Sequence, residues 1–456
     1  MVLSEQQHQR YLRHIIIPEI GDLGQKKLLD SSVSIIGENS SDAEALLLYI
    51  AASGIGRLSL HFKYDYKLET IINHIKDLNP DIHIEVTNSH KVLVRDHPLS
   101  CRIVFGKRDF VNETIKLVSE KAFDLEPLIF ATYSSWQGIV GFIDTTGSFD
   151  ERIISSPFSN DSELTKPGEV IASCVLGALC SIEAIKFILN IGKPLKKPLY
   201  IDLLNMRFSD SGICTDNASN NNTDLGLVKN LKDARVLIIG AGGLGSSSSY
   251  ALVKSGIGVL GILDRDFIEL SNLNRQVLHS TSRIAMPKVK SAEIFLKNLN
   301  PEVEIVTYKE IFSKENAESI VKGYDMVVAA LDNLETRYLL NDTCYFLNKP
   351  LAEAGVMRFD GLGMTIIPKV SHCYRCVFPE VYQGPGGPIG ILGPLPGVMG
   401  FIEAAETIKT LTGIGKTLKN NILLYNSLDA EFRLAKILKN PECPLCGNSP
   451  TINKPF

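Results

Sequence analysis

Three closely spaced glycines have the clearest chemical implication of any residues in this chain. Gly240, Gly242 and Gly245 directly follow the apolar run 236–239, which is typical of a strand buried on both faces of a parallel sheet. Glycines at this spacing allow a tight turn, and they let backbone N–H groups approach a phosphate at the start of the next helix. The motif alone is a weak signal, so the residues around it decide its interpretation.

Charged residues that follow these glycines extend the motif. Asp264 ends the next apolar run, where a carboxylate can accept both hydrogen bonds of a ribose diol. Arg275 and Lys288 can bind a triphosphate, and Asp332, which ends the run 327–331, can hold Mg²⁺. A nicotinamide site has no need for this many phosphate ligands together with a metal carboxylate. The set therefore favours a magnesium–ATP site.

Four of the nine cysteines form two CxxC pairs, Cys373 with Cys376 and Cys443 with Cys446. Two such pairs in an intracellular chain indicate one closed tetrahedral zinc site rather than disulfides. The other five lie in apolar or mixed surroundings and are interpreted as packing residues: Cys101, Cys174, Cys180, Cys214 and Cys344.

The composition is that of a multidomain protein with ordinary cores. The chain has 456 residues, of which 45% are hydrophobic and 21% charged, and this length gives room for two or three domains of about 150 residues. The formal net charge of −4 shows no basic excess for nucleic acid, no uninterrupted apolar run reaches about 18 residues, and the N-terminus is polar. We therefore expect a cytoplasmic protein with no nucleic-acid and no membrane partner.

The elements that must position the candidate site occur twice. Residues 32–62 predict a strand, an apolar helix and a second strand, and residues 235–264 predict the same order, with the tetrapeptide SGIG before the second strand in both copies. We interpret the two halves as a diverged duplication. The polar, turn-rich segment 214–227 is the predicted linker between a first domain, 1–213, and a second domain, 228–456.

The two copies differ at the positions that would bind a nucleotide. The first copy keeps Gly37 but continues with residues such as Glu38 and Asp42 in place of the later glycines, and Phe62 stands where the second copy has Asp264. These side chains would crowd a phosphate, and the carboxylates would repel it. We therefore predict that only the second half is active.

The order of motifs in the second half resembles that of the ThiF/MoeB family, the adenylyltransferase fold of ubiquitin-activating enzymes. GAGGLG, an aspartate, SNLNRQ, PK, LDN, CYRC and CPLC follow one another between residues 228 and 447, and the first half resembles the same fold in degenerate form. The fold expected from this resemblance is α/β, with two tandem Rossmann-like ThiF folds of which only the C-terminal one is active. The two would pack as an intrachain pseudo-dimer, an arrangement compatible with a monomer.

The resemblance implies that Mg-ATP converts a C-terminal carboxylate into an acyl-adenylate with release of pyrophosphate. The carboxylate would belong to a small ubiquitin-like or sulfur-carrier protein, or to a peptide. Catalytic roles are implied for Arg275, Lys288 and Asp332, with Asp332 also binding magnesium. The residues implied to contact the nucleotide are Gly240, Gly242, Gly243, Gly245, Asp264, Asn272, Asn274, Arg275, Gln276, Lys288, Asp332 and Asn333.

The resemblance also implies a role for the N-terminal segment, residues 5–16, which is predicted to be one charged helix. In symmetric relatives, an arginine of an RYxRQ-like segment reaches the ATP of the other subunit. Arg13 is therefore predicted to enter the second half's site near Gly243 and Lys288 as a catalytic arginine finger, with Arg10 as the weaker candidate.

One departure from the family concerns cysteine. Relatives that form a thioester or persulfide carry a cysteine in the loop after the first CxxC, but residues 381–397 contain none. The acyl-adenylate is then the last enzyme-bound activated species, unless Cys344 or Cys180 is recruited. Three other interpretations stay open: a peptide-modifying enzyme of a peptide-natural-product pathway, a nicotinamide-dependent oxidoreductase that would bind NADH and release no pyrophosphate, and a non-catalytic scaffold.

Overall fold

The computed structural model describes residues 2–87, 99–121, 127–143, 165–212, 230–379 and 387–455. The predicted linker, 214–227, lies outside these ranges, as does the beginning of the glycine- and proline-rich loop 381–397. The proposed domain boundaries therefore stay predictions.

The first half is built on a mixed sheet of eight strands. The strands are β1 Ser32–Asn39, β2 Arg57–Tyr64, β3 His83–Val86, β4 Cys101–Gly106, β5 Leu128–Ser134, β6 Gln137–Ile143, β7 Leu199–Asp202 and β8 Arg207–Ser209. They lie in the order β3-β2-β1-β4-β5-β6-β7-β8, parallel from β3 to β5 and antiparallel from β5 to β8. The helices are α1 Glu5–Arg10, α2 Leu12–Ile15, α3 Gly21–Leu29, α4 Glu44–Ala52, α5 Leu68–Leu78, α6 Arg108–Lys121 and α7 Thr165–Leu189.

The second half repeats this architecture. Its strands are β9 Arg235–Ile239, β10 Val259–Leu263, β11 Glu304–Tyr308, β12 Met326–Ala329, β13 Leu351–Met357, β14 Asp360–Ile366, β15 Asn421–Asn426 and β16 Glu431–Lys436. Their order, β11-β10-β9-β12-β13-β14-β15-β16, is the order of the first sheet shifted by eight strands. The helices are α8 Gly243–Lys254, α9 Lys288–Leu299, α10 Ala317–Val321, α11 Leu334–Phe346, α12 Tyr374–Val377 and α13 Leu395–Thr412. The predicted α/β class with two tandem Rossmann-like folds is confirmed.

The contacts between the halves follow an approximate two-fold relation. The backbone N–H of Lys193 donates to Leu428 O at 2.8 Å, and the N–H of Lys416 donates to Leu204 O, also at 2.8 Å. Phe208 of β8 and Phe432 of β16 stack with ring centroids 4.1 Å apart and planes 9° apart. Reciprocal pairs of this kind are what a two-fold interface between like subunits produces.

Two local features differ from expectation or need an explanation. The N-terminal segment forms two short helices instead of one, because Tyr11 leaves the helical conformation, is fully buried and donates to Asn79 Oδ1 at 3.1 Å. Residues 166–189 of helix α7 are long and apolar enough to span a membrane by length and composition, and an 18-residue window within them has a mean hydropathy of 1.9. However, 94% of that window is buried inside the fold, as in the core helix of a protein domain.

Candidate active site

The turn between β9 and α8 has the backbone of a phosphate-binding loop. Gly240 has a φ of 104°, and a Cβ there would overlap Ala330 O, while a Cβ on Gly245 would overlap Gly240 O. Both positions therefore require glycine. By contrast, a Cβ on Gly242 would meet only Gln276 Nε2, at 3.8 Å. The N-terminus of α8 thus opens onto space that an anion can fill.

Asp264 is held against this turn by two backbone hydrogen bonds. Its Oδ2 accepts from the N–H of Ala241 at 2.7 Å, and its Oδ1 accepts from the N–H of Asp266 at 2.8 Å. The carboxylate is half-buried. Its orientation is fixed, and the strand register places it beside Gly240, one residue beyond the Ile239–Leu263 pair.

His279 is a part of the site that the sequence did not reveal. Its Nε2 lies 3.1 Å from Ala241 O and its Nδ1 lies 3.1 Å from Ser291 Oγ. Because a carbonyl oxygen only accepts, Nε2 carries the proton and Nδ1 accepts from the hydroxyl. Complete burial lowers the pKa of His279 to about 3, so the ring is neutral and supports the glycine-rich turn as a donor. No motif marks it in the sequence.

Two buried cations lie beside the turn, and the carboxylates that act on them, Asp266, Glu269 and Asp332, are exposed. Arg275 donates to Ser271 O at 2.8 Å and to Asn274 Oδ1 at 2.9 Å. Burial, followed by the positive charge of Arg13, lowers the pKa of Arg275 to about 9. The Nζ of the buried Lys288 lies 3.0 Å from an oxygen of the exposed Asp266. A polyanion is the ligand that such a group of cations stabilises.

The neighbouring amides divide into two groups. Asn272 Oδ1 accepts from the N–H of Glu269 at 3.1 Å and stabilises a turn. Asn333 caps α11, because its side-chain oxygen accepts from the N–H of Thr336 at 2.9 Å. Both oxygens therefore already have partners within the protein. Asn274 Nδ2 and Gln276 Oε1 are buried and have no hydrogen-bond partner among the described residues. Buried polar atoms without partners are rare in proteins, so these two atoms fit a ligand in the adjacent space.

Asp332, the predicted magnesium ligand, lies on the surface after β12. Its negative charge acts on both Arg275 and Arg337, raising the pKa of each against the effect of burial. Because β12 is paired in parallel with β9, Asp332 lies at the same end of the sheet as the glycine-rich turn, exposed and available to a hard cation.

Arg13 reaches the edge of this region from the first half. Its guanidinium donates to Ile389 O at 2.8 Å, and its charge is close enough to Arg275 to depress the pKa of that residue. Arg10, the weaker candidate, is buried and donates instead to Leu78 O at 2.6 Å and Thr281 Oγ1 at 3.0 Å. Of the two arginines, Arg10 has the fixed structural contacts.

The comparison with known proteins concerns the family of the second half. A model of the ThiF family matches residues 216–445, half of the chain and all of the site's second-half residues. The chain belongs to the ThiF family.

Named relatives match this ThiF chain over about half its length. It is 42% identical over 232 residues to a sulfur carrier protein adenylyltransferase of Thermus thermophilus, covering 48% of this chain and 85% of that protein. It is 40% identical over 222 residues to the SAMP-activating enzyme E1 of Haloferax volcanii, covering 48% and 82% respectively. A crystal structure of E. coli MccB with ATP aligns with a TM-score of 0.42 and 25% identity, over 48% of this chain and 68% of that one.

Four cysteines of the ThiF half form a compact cluster. The Sγ of Cys373 lies 3.9 Å from Cys376, 3.5 Å from Cys443 and 3.5 Å from Cys446, and Cys376 and Cys446 are 3.3 Å apart. Four thiolates around a zinc ion with Zn–S bonds of about 2.3 Å would be about 3.8 Å apart. The described atoms fit a tetrahedral metal site of this size.

The equivalent site in the first half is filled by protein side chains. Phe62 pairs with Gly37, as Asp264 lies beside Gly240, and a Cβ on Gly37 would overlap the Phe62 ring. Glu38 Oε2 accepts from the N–H of Lys107 at 2.8 Å. Gly37 of β1 pairs with Phe105, and the equivalent Gly240 lies beside Ala330, one residue beyond the Ile239–Ala329 pair. Lys107 and Asp332 each follow two residues later, so Lys107 stands at the position of Asp332 with the opposite charge.

Proposed function

We propose that this protein is an ATP-dependent adenylyltransferase that activates a C-terminal carboxylate. The observation that carries the proposal is the open space at Gly242, bordered by the ribose-binding candidate Asp264, by Arg275 and Lys288, and by two buried amide atoms without partners. The names of its ThiF relatives, an adenylyltransferase and an E1-type activating enzyme, support the same reaction class.

In the proposed reaction, a carboxylate oxygen attacks the α-phosphorus of ATP. A new P–O bond gives the acyl-adenylate, the bond between the α-phosphorus and its bridging oxygen breaks, and pyrophosphate leaves with the electron pair. Asp264 would accept from the ribose hydroxyls, and Arg275 and Lys288 would neutralise the phosphates. Mg²⁺ held by Asp332 would add positive charge at the same oxygens. Positioning and charge neutralisation would supply most of the catalysis.

We propose that the first half serves as the inactive subunit of an intrachain pseudo-dimer. Three features support its failure to bind nucleotide: Phe62 in place of Asp264, Lys107 in place of Asp332, and Glu38 within the former glycine-rich turn. Its contribution to the working site would be Arg13, acting on the triphosphate as an arginine finger.

The remaining assignments concern the metal, the substrate and the compartment. The Cys373, Cys376, Cys443 and Cys446 cluster is proposed to hold one structural zinc ion, because four thiolates leave no open position for catalysis. The substrate is proposed to be a small ubiquitin-like or sulfur-carrier protein, or a peptide, acting in the cytoplasm. The relatives' names support the small-protein substrate, because they name a sulfur carrier protein and SAMP.

Pyrophosphate exchange tests the function directly. The chain is incubated with Mg-ATP, labelled pyrophosphate and, in turn, small proteins ending in Gly-Gly and short peptides with a free C-terminus. We expect label to enter ATP only with a cognate free carboxylate, and C-terminal amidation of that same substrate should abolish the exchange. Binding of NADH together with no exchange for any carboxylate would favour an oxidoreductase and overturn the proposal.

Calorimetric titration with Mg-ATP tests the asymmetry between the halves. One site per chain is expected. Asp264→Ala should abolish binding, because it removes the ribose-binding candidate, whereas Phe62→Ala is the matched change at the equivalent position of the first half and should leave binding intact. Two sites per chain would show that the first half is not degenerate.

A further inference from the structure

Residues 389–393 form a short strap that runs between the two halves. Ile389 O accepts from the Arg13 guanidinium at 2.8 Å, and the N–H of Ile391 donates to Arg13 O at 3.0 Å. On the other side, Arg358 N–H donates to Gly390 O at 2.9 Å and Leu392 N–H donates to Arg358 O at 3.0 Å. The strap is therefore held by backbone contacts from both halves.

The last residue of the strap, Gly393, has a different partner. Its N–H donates to Nε2 of His14 at 2.7 Å, and the His14 ring is completely buried. His14 Nδ1 lies 2.9 Å from Gln25 Oε1, and Gln25 Nε2 donates to Ser53 O at 3.1 Å. Gln25 and Ser53 are also completely buried.

This chain of hydrogen bonds defines the tautomer of His14. The amide N–H of Gly393 can only donate, so Nε2 must be the unprotonated nitrogen. Nδ1 then carries the proton and donates to the Gln25 carboxamide oxygen, whose NH₂ group is in turn oriented by Ser53 O. Burial lowers the pKa of His14 to about 4, which agrees with a neutral ring.

Gly393 connects His14 to the candidate nucleotide site. A Cβ on Gly393 would lie 2.5 Å from Asn274 O and 3.0 Å from His14 Nε2, so the strap passes tightly between the first half and the residue before Arg275. Three residues further on, Pro396 packs against the glycine-rich turn, because a Cβ on Gly243 would lie 2.9 Å from Pro396 Cβ. The strap thus touches the cation-bearing segment, and the start of α13, which follows the strap directly, touches the phosphate turn.

We propose that His14 is a positioning residue of the first half, which accepts a hydrogen bond from Gly393 and thereby fixes the strap against Asn274 and, through the adjoining start of α13, holds Pro396 against the glycine-rich turn. Its role in catalysis rests on the proposed ATP site, whereas the hydrogen bond itself does not. The first half would then contribute to the second half's site in two ways, through the charge of Arg13 and through the acceptor of the adjacent residue.

Hydrogen–deuterium exchange of the full chain tests the hydrogen bond without any substrate. His14→Leu keeps an apolar side chain of similar bulk but removes the acceptor, and it should speed exchange of the Gly393 amide by about tenfold or more. His14→Gln restores an acceptor oxygen and should recover much of the protection. Amides of β9 and β12 should be unchanged in both variants.

Calorimetric titration of the same proteins with Mg-ATP tests the positioning role. His14→Leu should weaken ATP binding by about tenfold, His14→Gln should recover it, and His8→Leu, a change at an exposed histidine of α1, should match the wild type. If His14→Leu unfolds the chain, Gln25→Leu provides a second test, since it keeps the His14 acceptor and removes the group that orients the ring, together with the donor to Ser53 O.

Each outcome separates the two proposals. Unchanged exchange of the Gly393 amide in His14→Leu would refute the His14–Gly393 hydrogen bond, whatever the ATP affinity of the variant. Faster exchange with unchanged ATP affinity would refute the positioning role. Faster exchange in a protein whose wild type binds no ATP would refute the proposed function while leaving the hydrogen bond established.

Discussion

Replacing Arg13 with alanine separates a catalytic arginine from a structural one. In the structure, Arg13 is half-buried and its side chain makes one hydrogen bond with the described residues, to Ile389 O at 2.8 Å. Loss of one such bond costs about 0.5–1.5 kcal/mol. Removing its charge also relieves the repulsion that depresses the pKa of Arg275, which offsets part of that loss. The free energy of unfolding should therefore fall by about 1 kcal/mol at most.

The catalytic effect should be much larger than this. An arginine finger contributes about 10³- to 10⁵-fold in rate. By contrast, about 1 kcal/mol of lost stability changes the ratio of folded to unfolded protein by only about fivefold. We expect Arg13→Ala to reduce ATP–pyrophosphate exchange by about 10³-fold or more, with an almost unchanged thermal unfolding midpoint and unchanged zinc content. Arg13→Lys should be intermediate, because an ammonium keeps the charge but not the planar fork.

Arg10→Ala is the matched control, being the same change three residues earlier. Arg10 is buried and makes two hydrogen bonds, so its loss should lower the unfolding midpoint more than Arg13→Ala does and slow exchange less. A rate loss of only about fivefold in Arg13→Ala, or an equal rate loss in Arg10→Ala, would refute the finger assignment.

Three further outcomes are expected. Protein purified without chelators should contain about one zinc ion per chain, and Cys443→Ser should lose it together with thermal stability; less than about half an equivalent in the wild type would contradict the four-thiolate site. No thiol-sensitive enzyme–substrate conjugate should appear on a gel, because burial raises the pKa of the Cys180 and Cys344 thiols far above neutral. Such a conjugate would contradict the prediction that the acyl-adenylate is the last activated species bound to the enzyme. The free energy of unfolding should fall as the pH drops from about 6.5 towards 4, because the buried His14 ring is neutral in the folded protein. Folding lowers its pKa from 6.5 to about 4, which corresponds to a loss of about 3 kcal/mol over that range. A denaturation profile that is flat over that range would be inconsistent with a buried neutral ring.

The sequence predicted those parts of the fold that depend on local pattern. The strand–glycine–helix order around Gly240 predicted the start of the second sheet, and the alignment of Phe62 with Asp264 agrees with the strand registers. The two CxxC pairs, Cys373 with Cys376 and Cys443 with Cys446, predicted their cluster although the pairs are far apart in the chain. In each case a short motif specifies its own backbone conformation or its own chemistry.

The contacts that the sequence did not predict join residues far apart in the chain. His279 reaches Ala241 O, and His14 reaches the Gly393 amide, through side chains that carry no motif. The break of the N-terminal helix at Tyr11 also depends on a distant partner, Asn79. Such contacts are set by how two sheets pack, which periodicity and local propensity do not encode.

In the first half, N-terminal residues contact the second half, whereas Phe62, Glu38 and Lys107 occupy the positions that would border a nucleotide of its own. Arg13 and His14 contact the strap, and a Cβ on Gly397 would lie 2.5 Å from the Tyr49 ring, so glycine there makes room for a first-half side chain. In the opposite direction, Lys254 of α8 donates to Ser41 O in the first half's former glycine-rich turn at 2.5 Å. A cation of the second half thus binds where the first half would need an empty phosphate site. In the proposed pseudo-dimer, one working site would need only one N-terminal segment, and the first half would supply it. The contacts of Arg13 and His14 with the strap are the contacts that this arrangement requires.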